Sequence, residues 1–218
     1  QKRFNHNNKS RPRSGRGALK LSHKSGIHVK SLSISNESWP RYVPDFMPSS
    51  FNEAPMLAKK VALGEIPPLM ERLPKKPLVI EPAESIGKYG GTWYRAFTGP
   101  ADGQNMERPL KDHMLYFDTG MKVPQPNIAE SWTVNDDATE FTFTLREGLK
   151  WSDGVPFTTD DVMFWVDHML NNEEINPTKP AWAIHGGETL QFEAVDLLTW
   201  KVTAAQPYGL FVPLMASV

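Results

Sequence analysis

Carboxylates stand in adjacent pairs at Asp136-Asp137, Asp160-Asp161 and Glu173-Glu174. Two carboxyl groups can supply a general acid and a general base, as in glycosidases. The spacing argues against that use. Neighbours in sequence do not face one another on a helix, and each pair falls at a predicted turn or helix end, where acids are locally favoured. They read as solvated turns and caps. His113, His168 and His185 have no metal-ligand spacing to one another, and His168 falls near the C-terminal end of a predicted helix, where a cation is favourable. Gly90-Gly91 and Gly186-Gly187 lack the phosphate-loop pattern. No serine sits in a Gly-x-Ser-x-Gly context. The chain has no cysteine, which removes thiolate nucleophiles, disulfides and Cys-based zinc sites. No catalytic residue, metal or cofactor is expected, and what remains is binding.

The elements that would present a binding surface begin after a basic arm. Residues 1–50 hold ten Lys and Arg against two Asp and Glu, whereas residues 51–218 hold fourteen against twenty-three. Lys, Arg, Ser and Asn dominate the arm without apolar period, so it reads as a disordered leader. Its cluster Arg11, Arg13, Arg16, Lys20 and Lys24 could contact nucleic acid, but only Phe4 offers a stacking ring before Trp39, and single-strand binders interleave rings with charge. No nucleic-acid partner is expected. No run of about eighteen apolar residues crosses a bilayer, and no apolar core of a signal peptide follows the basic start. A first residue of Gln rather than Met suggests a fragment, or a translated sequence whose true start lies elsewhere.

In residues 51–84, Asn52 is the expected cap of a helix with Pro55 in its first turn. Leu57, Val61 and Met56 share a face, and Gly64 is the expected stop. A short helix is predicted over Leu69 to Leu73, and a strand at Leu78-Val79-Ile80. Thr92 to Phe97 is rich in β-branched and aromatic residues and reads as a strand. Thr98 to Pro109 is loop chemistry, residues 110–117 read as a short helix, Asp118-Thr119-Gly120 as a turn, and Met121 to Pro126 as extended.

The clearest pattern begins at Glu140. Phe141, Phe143 and Leu145 point one way and Thr142 and Thr144 the other, the mark of a half-buried strand. Asn135-Asp136-Asp137 is its turn and Trp132 to Val134 its hairpin partner. Thr158 or Thr159 is the expected cap of a helix starting near Asp160, with a buried stripe of Val162, Trp165, Val166 and Met169, ended by Asn171-Asn172. A second hairpin is predicted over 190–204, turning near Asp196, and the apolar residues up to Val218 read as a helix start. Hairpins mixed with helices imply an α/β or α+β domain with a mixed sheet.

Three pieces, in order, resemble one family. Lys88-Tyr89-Gly90-Gly91-Thr92-Trp93 is similar to the segment that opens its first strand. Pro126-Asn127-Ile128-Ala129-Glu130-Ser131-Trp132 is similar to its segment before a hairpin, with Ile128 for the usual leucine. The third runs from Leu145 to Val162 through Lys150-Trp151-Ser152-Asp153-Gly154 and Pro156-Phe157-Thr158. These resemble family 5 of the bacterial extracellular solute-binding proteins, the receptors of peptide, nickel and some oligosaccharide ABC importers.

The resemblance implies a type II periplasmic-binding-protein fold of class α/β. Residues 1–50, the leader read from composition, match nothing in the family; the resemblance assigns 51–84 to an N-terminal extension and 85–218 to part of the first lobe, with the second lobe absent. It implies a monomer, periplasmic or else extracytoplasmic and membrane-anchored, that encloses an oligopeptide, or as runner-up an oligosaccharide, and delivers it to membrane permease subunits. The first-lobe contacts expected are Thr98, Gly99, Asp102 and Asn105 in the loop after the first strand, and Trp182, whose ring could stack on a sugar or side chain. Trp151, Asp153 and Gly154 read as fold markers: Asp-Gly suits a tight turn, and Trp151 is large enough to anchor it on the core. Arg146 is expected on loop carbonyls or a carboxylate. A peptide or glycan hydrolase is the alternative of another class, and its nucleophile and base are not found in this sequence.

Overall fold

The computed structural model describes residues 41–42, 47–82, 85–103, 111–117 and 121–217. The chain divides into Gln1–Ser35, which lies outside the described residues, and Asn36–Val218. The turn expected at Asp118-Thr119-Gly120 also lies outside them.

Strand β1 (Arg41–Tyr42) pairs antiparallel with β2 (Ile80–Glu81). Between them lie helix α1 (Pro55–Ala62) and helix α2 (Leu69–Arg72). Pro55 opens α1 and Gly64 follows its end, as the pattern requires. Asn52 is not the cap: Ala54 holds that position, with no side-chain bond. Glu53 Oε1 instead accepts the Ala54 N–H at 3.0 Å and its Oε2 pairs with Arg72, so its carboxylate is drawn to α2. The strand expected at Leu78-Val79-Ile80 begins only at Ile80.

Two expectations fail after this. Thr92 to Phe97 forms no strand, and Trp93 and Tyr94 stand 75% and 87% exposed. Composition favours a strand here, but a strand also needs a paired edge and a surface to cover its rings, and no described strand pairs with this run. Residues 115–117 are strand β3 (Leu115–Phe117), not the end of a helix, and pair with β4 (Pro124–Pro126), Leu115 opposite Pro126. A short apolar run carries no period that separates helix from strand; the two-proline segment, confined by its missing N–H groups to an edge, supplies the partner.

The core is built on a four-stranded antiparallel sheet. β5 (Ala129–Val134) and β6 (Glu140–Leu145) form the expected hairpin. Asn135 fastens its turn by accepting the N–H groups of Thr139 and Glu140 at 2.8 and 2.9 Å. β9 (Gln191–Ala194) and β10 (Thr199–Thr203) form the second hairpin, and the order is β5-β6-β10-β9. Between these hairpins a small one joins β7 (Ile184–His185) to β8 (Glu188–Thr189). Every strand pair among the described residues is antiparallel, so the parallel component of a mixed sheet is not found among them.

The alternation places Phe141, Phe143 and Leu145 at 1% exposure or less. Trp200 of β10 stacks on Phe143 at 4.7 Å, and Phe211, in the closing helix Phe211–Leu214, packs on Phe141 at 4.8 Å. Burial of such rings dominates a core of this size. At the β9–β10 turn, Asp196 Oδ1 accepts the N–H groups of Leu198 and Thr199, each at 2.8 Å. The Leu198 bond is the largest influence on its carboxyl; it outweighs the opposing desolvation and, with the weaker bonds from Thr199, holds the carboxyl below its ordinary value.

Helix α3 (Thr159–Trp165) runs into a π turn over Val166–Leu170. Val162, Val166 and Leu170 are buried, whereas Trp165 and Met169 are 40% and 38% exposed. The wider turn, closed by Asn171 N–H on the Val166 carbonyl at 2.9 Å, keeps residues four apart in line. Leu170 thereby takes the buried place expected of Met169.

Candidate functional site

The Trp-Ser-Asp-Gly segment is a tight turn bolted to a helix. Lys150 and Pro156 face each other as an antiparallel bridge, and Trp151 N–H donates to the Val155 carbonyl at 2.8 Å. Asp153 Oδ1 accepts the Val155 N–H at 3.0 Å, and Gly154 takes φ +92°. At the start of α3, Thr158 Oγ1 accepts the Asp160 N–H at 3.2 Å and Asp161 Oδ2 accepts the Thr158 N–H at 2.8 Å, a reciprocal capping box. The other oxygen of Asp161 accepts the indole N–H of Trp151 at 3.1 Å. Trp151 is not sunk in the core as expected: it is 49% exposed and meets Phe157 edge-on at 5.2 Å. Its N–H is held by a helix cap at the surface, which keeps the ring there.

That ring forms part of the wall of a hollow of about 810 Å³. Trp165 and Trp182, stacked at 6.1 Å and 12°, stand on its wall with Phe157, Phe192 and Trp200. Asp112, Lys150 and Asp161 bring polar groups to it. Asp112 accepts from the Asn127 side chain, and Lys150 donates to the Glu71 carbonyl. A concave, mostly apolar space rich in indole and phenyl rings, with a few polar groups, suits burial and stacking of a ring or apolar group. Trp200 Nε1 is buried with no hydrogen-bond partner. Among the described residues no three His, Asp or Glu gather to hold a metal ion.

The loop expected to contact a solute is a compact turn. Asp102 Oδ2 accepts the Thr98 N–H at 3.3 Å, and Asp102 N–H donates to the Gly99 carbonyl at 2.9 Å. Thr98, Gly99 and Asp102 are thus brought together, but none of them lines the hollow, whereas Trp182 does. Asn105 lies outside the described residues. Asp112, Trp165, Phe192 and Trp200 were not anticipated as a group. The sequence pattern puts Trp165 in a buried stripe and Phe192 and Trp200 in a hairpin, and only tertiary folding gathers them.

Comparison with known proteins places these features. Residues 123–218 match the family described as bacterial extracellular solute-binding proteins, family 5 Middle. The chain is 32% identical over 186 residues to the periplasmic alpha-galactoside-binding protein of Rhizobium meliloti (strain 1021), covering 71% of this chain and 27% of that protein. Among solved structures it is similar to an oligopeptide-binding protein OppA (39% identity, TM-score 0.69, 75% of this chain and 25% of that one). It is also similar to the periplasmic binding protein MelB of Agrobacterium fabrum C58 in complex with stachyose (26% identity, TM-score 0.56, 77% of this chain and 29% of that one). The chain therefore spans 25% to 29% of the length of these relatives.

Proposed function

This chain belongs to family 5 of the bacterial extracellular solute-binding proteins, and on that premise we propose that it forms the first-lobe part of a periplasmic receptor that captures an oligopeptide and hands it to the permease of an ABC importer. Capture is non-covalent: the solute is enclosed when two lobes close about a hinge, and no bond in it is broken. The loop Thr98–Asp102 offers backbone groups to polar parts of the solute, and Trp182 offers a face in the hollow. The observation that carries the reading is that open aromatic hollow, set in a fold 39% identical to an oligopeptide-binding protein.

An oligosaccharide is the second reading. The alpha-galactoside-binding relative and the stachyose complex favour it, and a sugar ring stacks on an indole as readily as an apolar side chain does.

The test is calorimetric titration of a receptor of the relatives' length with tri-alanine and with stachyose, each followed by chromatography of the recovered solute. Saturable binding of tri-alanine with the peptide returned intact supports the first reading. Binding of stachyose alone replaces it with the second. Cleavage of either solute would sink the receptor reading in favour of a hydrolase.

A further inference from the structure

Trp182 sits in a single helical turn, Ala181–Ala183, and is half-buried. Its backbone carbonyl accepts the phenolic O–H of Tyr208 at 3.2 Å. Tyr208 is 9% exposed and lies face to face with His185, ring centres 3.9 Å apart and 3° from parallel. His185 Nε2 is 2.9 Å from the Pro207 carbonyl. Next to it, the side chain of Gln206 lies against Gly186, so that a Cβ there would come within 2.8 Å of it. Residues 206–208 thus grip the β7–β8 hairpin that follows Trp182 directly, and the Leu190 N–H on the Ala183 carbonyl at 2.9 Å closes the loop from the other end.

Neither Tyr208 nor His185 lines the hollow. The Tyr208 hydroxyl ends on the backbone of the residue that does, and His185 stacks on the ring that carries it. We propose that Tyr208 and His185 are positioning residues that hold the Trp182 indole against Trp165 as a ready platform for a sugar ring or an apolar side chain of the solute. The inference rests on the reading that Trp182 meets the solute. A platform held in place before binding does not lose side-chain freedom on binding, so loosening it weakens affinity without removing any group that touches the solute.

The test uses a receptor of the relatives' length, titrated with tri-alanine and stachyose. Tyr208→Phe keeps the ring and removes the hydroxyl. It is expected to weaken the probe that binds about fivefold, the worth of one neutral hydrogen bond. His185→Ala does the same, and His185→Phe restores affinity by restoring the stack. In a Trp182→Ala background neither change has further effect. Fluorotryptophan NMR supplies a readout that needs no solute: the Trp182 line, identified by its loss in Trp182→Phe, shifts in Tyr208→Phe. The proposal is overturned if Tyr208→Phe leaves affinity and that line unchanged, or weakens binding equally with and without Trp182. Full affinity in Trp182→Ala overturns the underlying reading of the site instead. Weakened Trp182→Ala beside unweakened Tyr208→Phe overturns the positioning alone.

Discussion

The guanidinium of Arg146 donates from Nη1 to the carbonyl of Lys76 at 2.8 Å, joining residues 70 apart in sequence. From Nε it donates to Asn127 at 3.2 Å. Arg146 is 4% exposed, and the seam it closes is lined by further links: Lys75 N–H to the Glu147 carbonyl at 2.9 Å, the Lys75–Glu147 pair and the Lys150 contact with Glu71. Arg146→Ala strands two carbonyls and opens a void, and is expected to cost about 3 kcal/mol. Arg146→Lys keeps the charge without the planar fork and recovers less than half of that. Urea unfolding of the two variants checks this; a loss below about 0.5 kcal/mol for alanine would show that the seam carries no stability.

Gly148 lies in the same seam with φ +83°, and a Cβ on it would come within 3.2 Å of Lys75 N and 3.4 Å of Pro74 Cα. Gly154 has φ +92° but open space around the same position. Both glycines permit a left-handed backbone; only one also permits a close approach. Gly154→Ala is therefore expected to cost about 1 kcal/mol from backbone strain, and Gly148→Ala about 1 kcal/mol more, because the backbone at Pro74 and Lys75 must move. Equal costs in thermal unfolding would mean that Pro74 and Lys75 are not packed on this turn.

These contacts mark the limit of what the sequence makes legible. Both hairpins of the main sheet could be read directly, because the alternation of Phe141, Phe143 and Leu145 and the turn at Asn135 are local signals. The cap at Thr158 was local too. Arg146 is expected on loop carbonyls or a carboxylate, yet nothing in the sequence singles out Lys76 as a partner 70 residues away. The run Thr92 to Phe97 failed as a strand because strand formation depends on an edge elsewhere. Met169 failed as a buried residue because one π turn realigned the helix. The hollow shares that character: Trp151, Trp165 and Trp182 lie on three different elements, and of these only Trp182 stood out as a face for a ligand.

Asp196 gives the fold a pH dependence. Its carboxyl is held below its ordinary value, chiefly by the Leu198 N–H, so folding favours the ionised form. The stability it contributes is complete above the ordinary carboxylate range and is lost as pH falls through the lowered value. Asp196→Asn keeps an acceptor oxygen but cannot ionise. Melting temperatures taken from neutral to acid pH are expected to converge for the two proteins at the acid end and to separate, with the natural protein higher, above it. A constant gap at every pH would show that charge on Asp196 is irrelevant to the turn.

Trp200 poses the opposite balance. It is 2% exposed, its ring lies 4.7 Å from Phe143 and 6.2 Å from Phe192, and its indole N–H is buried without a partner. An unsatisfied buried donor costs about 1–3 kcal/mol. Trp200→Phe removes that donor while giving up part of the ring's contacts, a loss of similar size. The two are expected to offset, leaving a net change within about 1 kcal/mol. Phe143→Ala removes a whole ring with nothing to offset it and is expected to cost about 3–5 kcal/mol. Chemical denaturation of the pair tests the balance. A cost above about 2 kcal/mol for Trp200→Phe would mean that in solution the indole N–H does find an acceptor, in ordered water or in a group that enters the hollow.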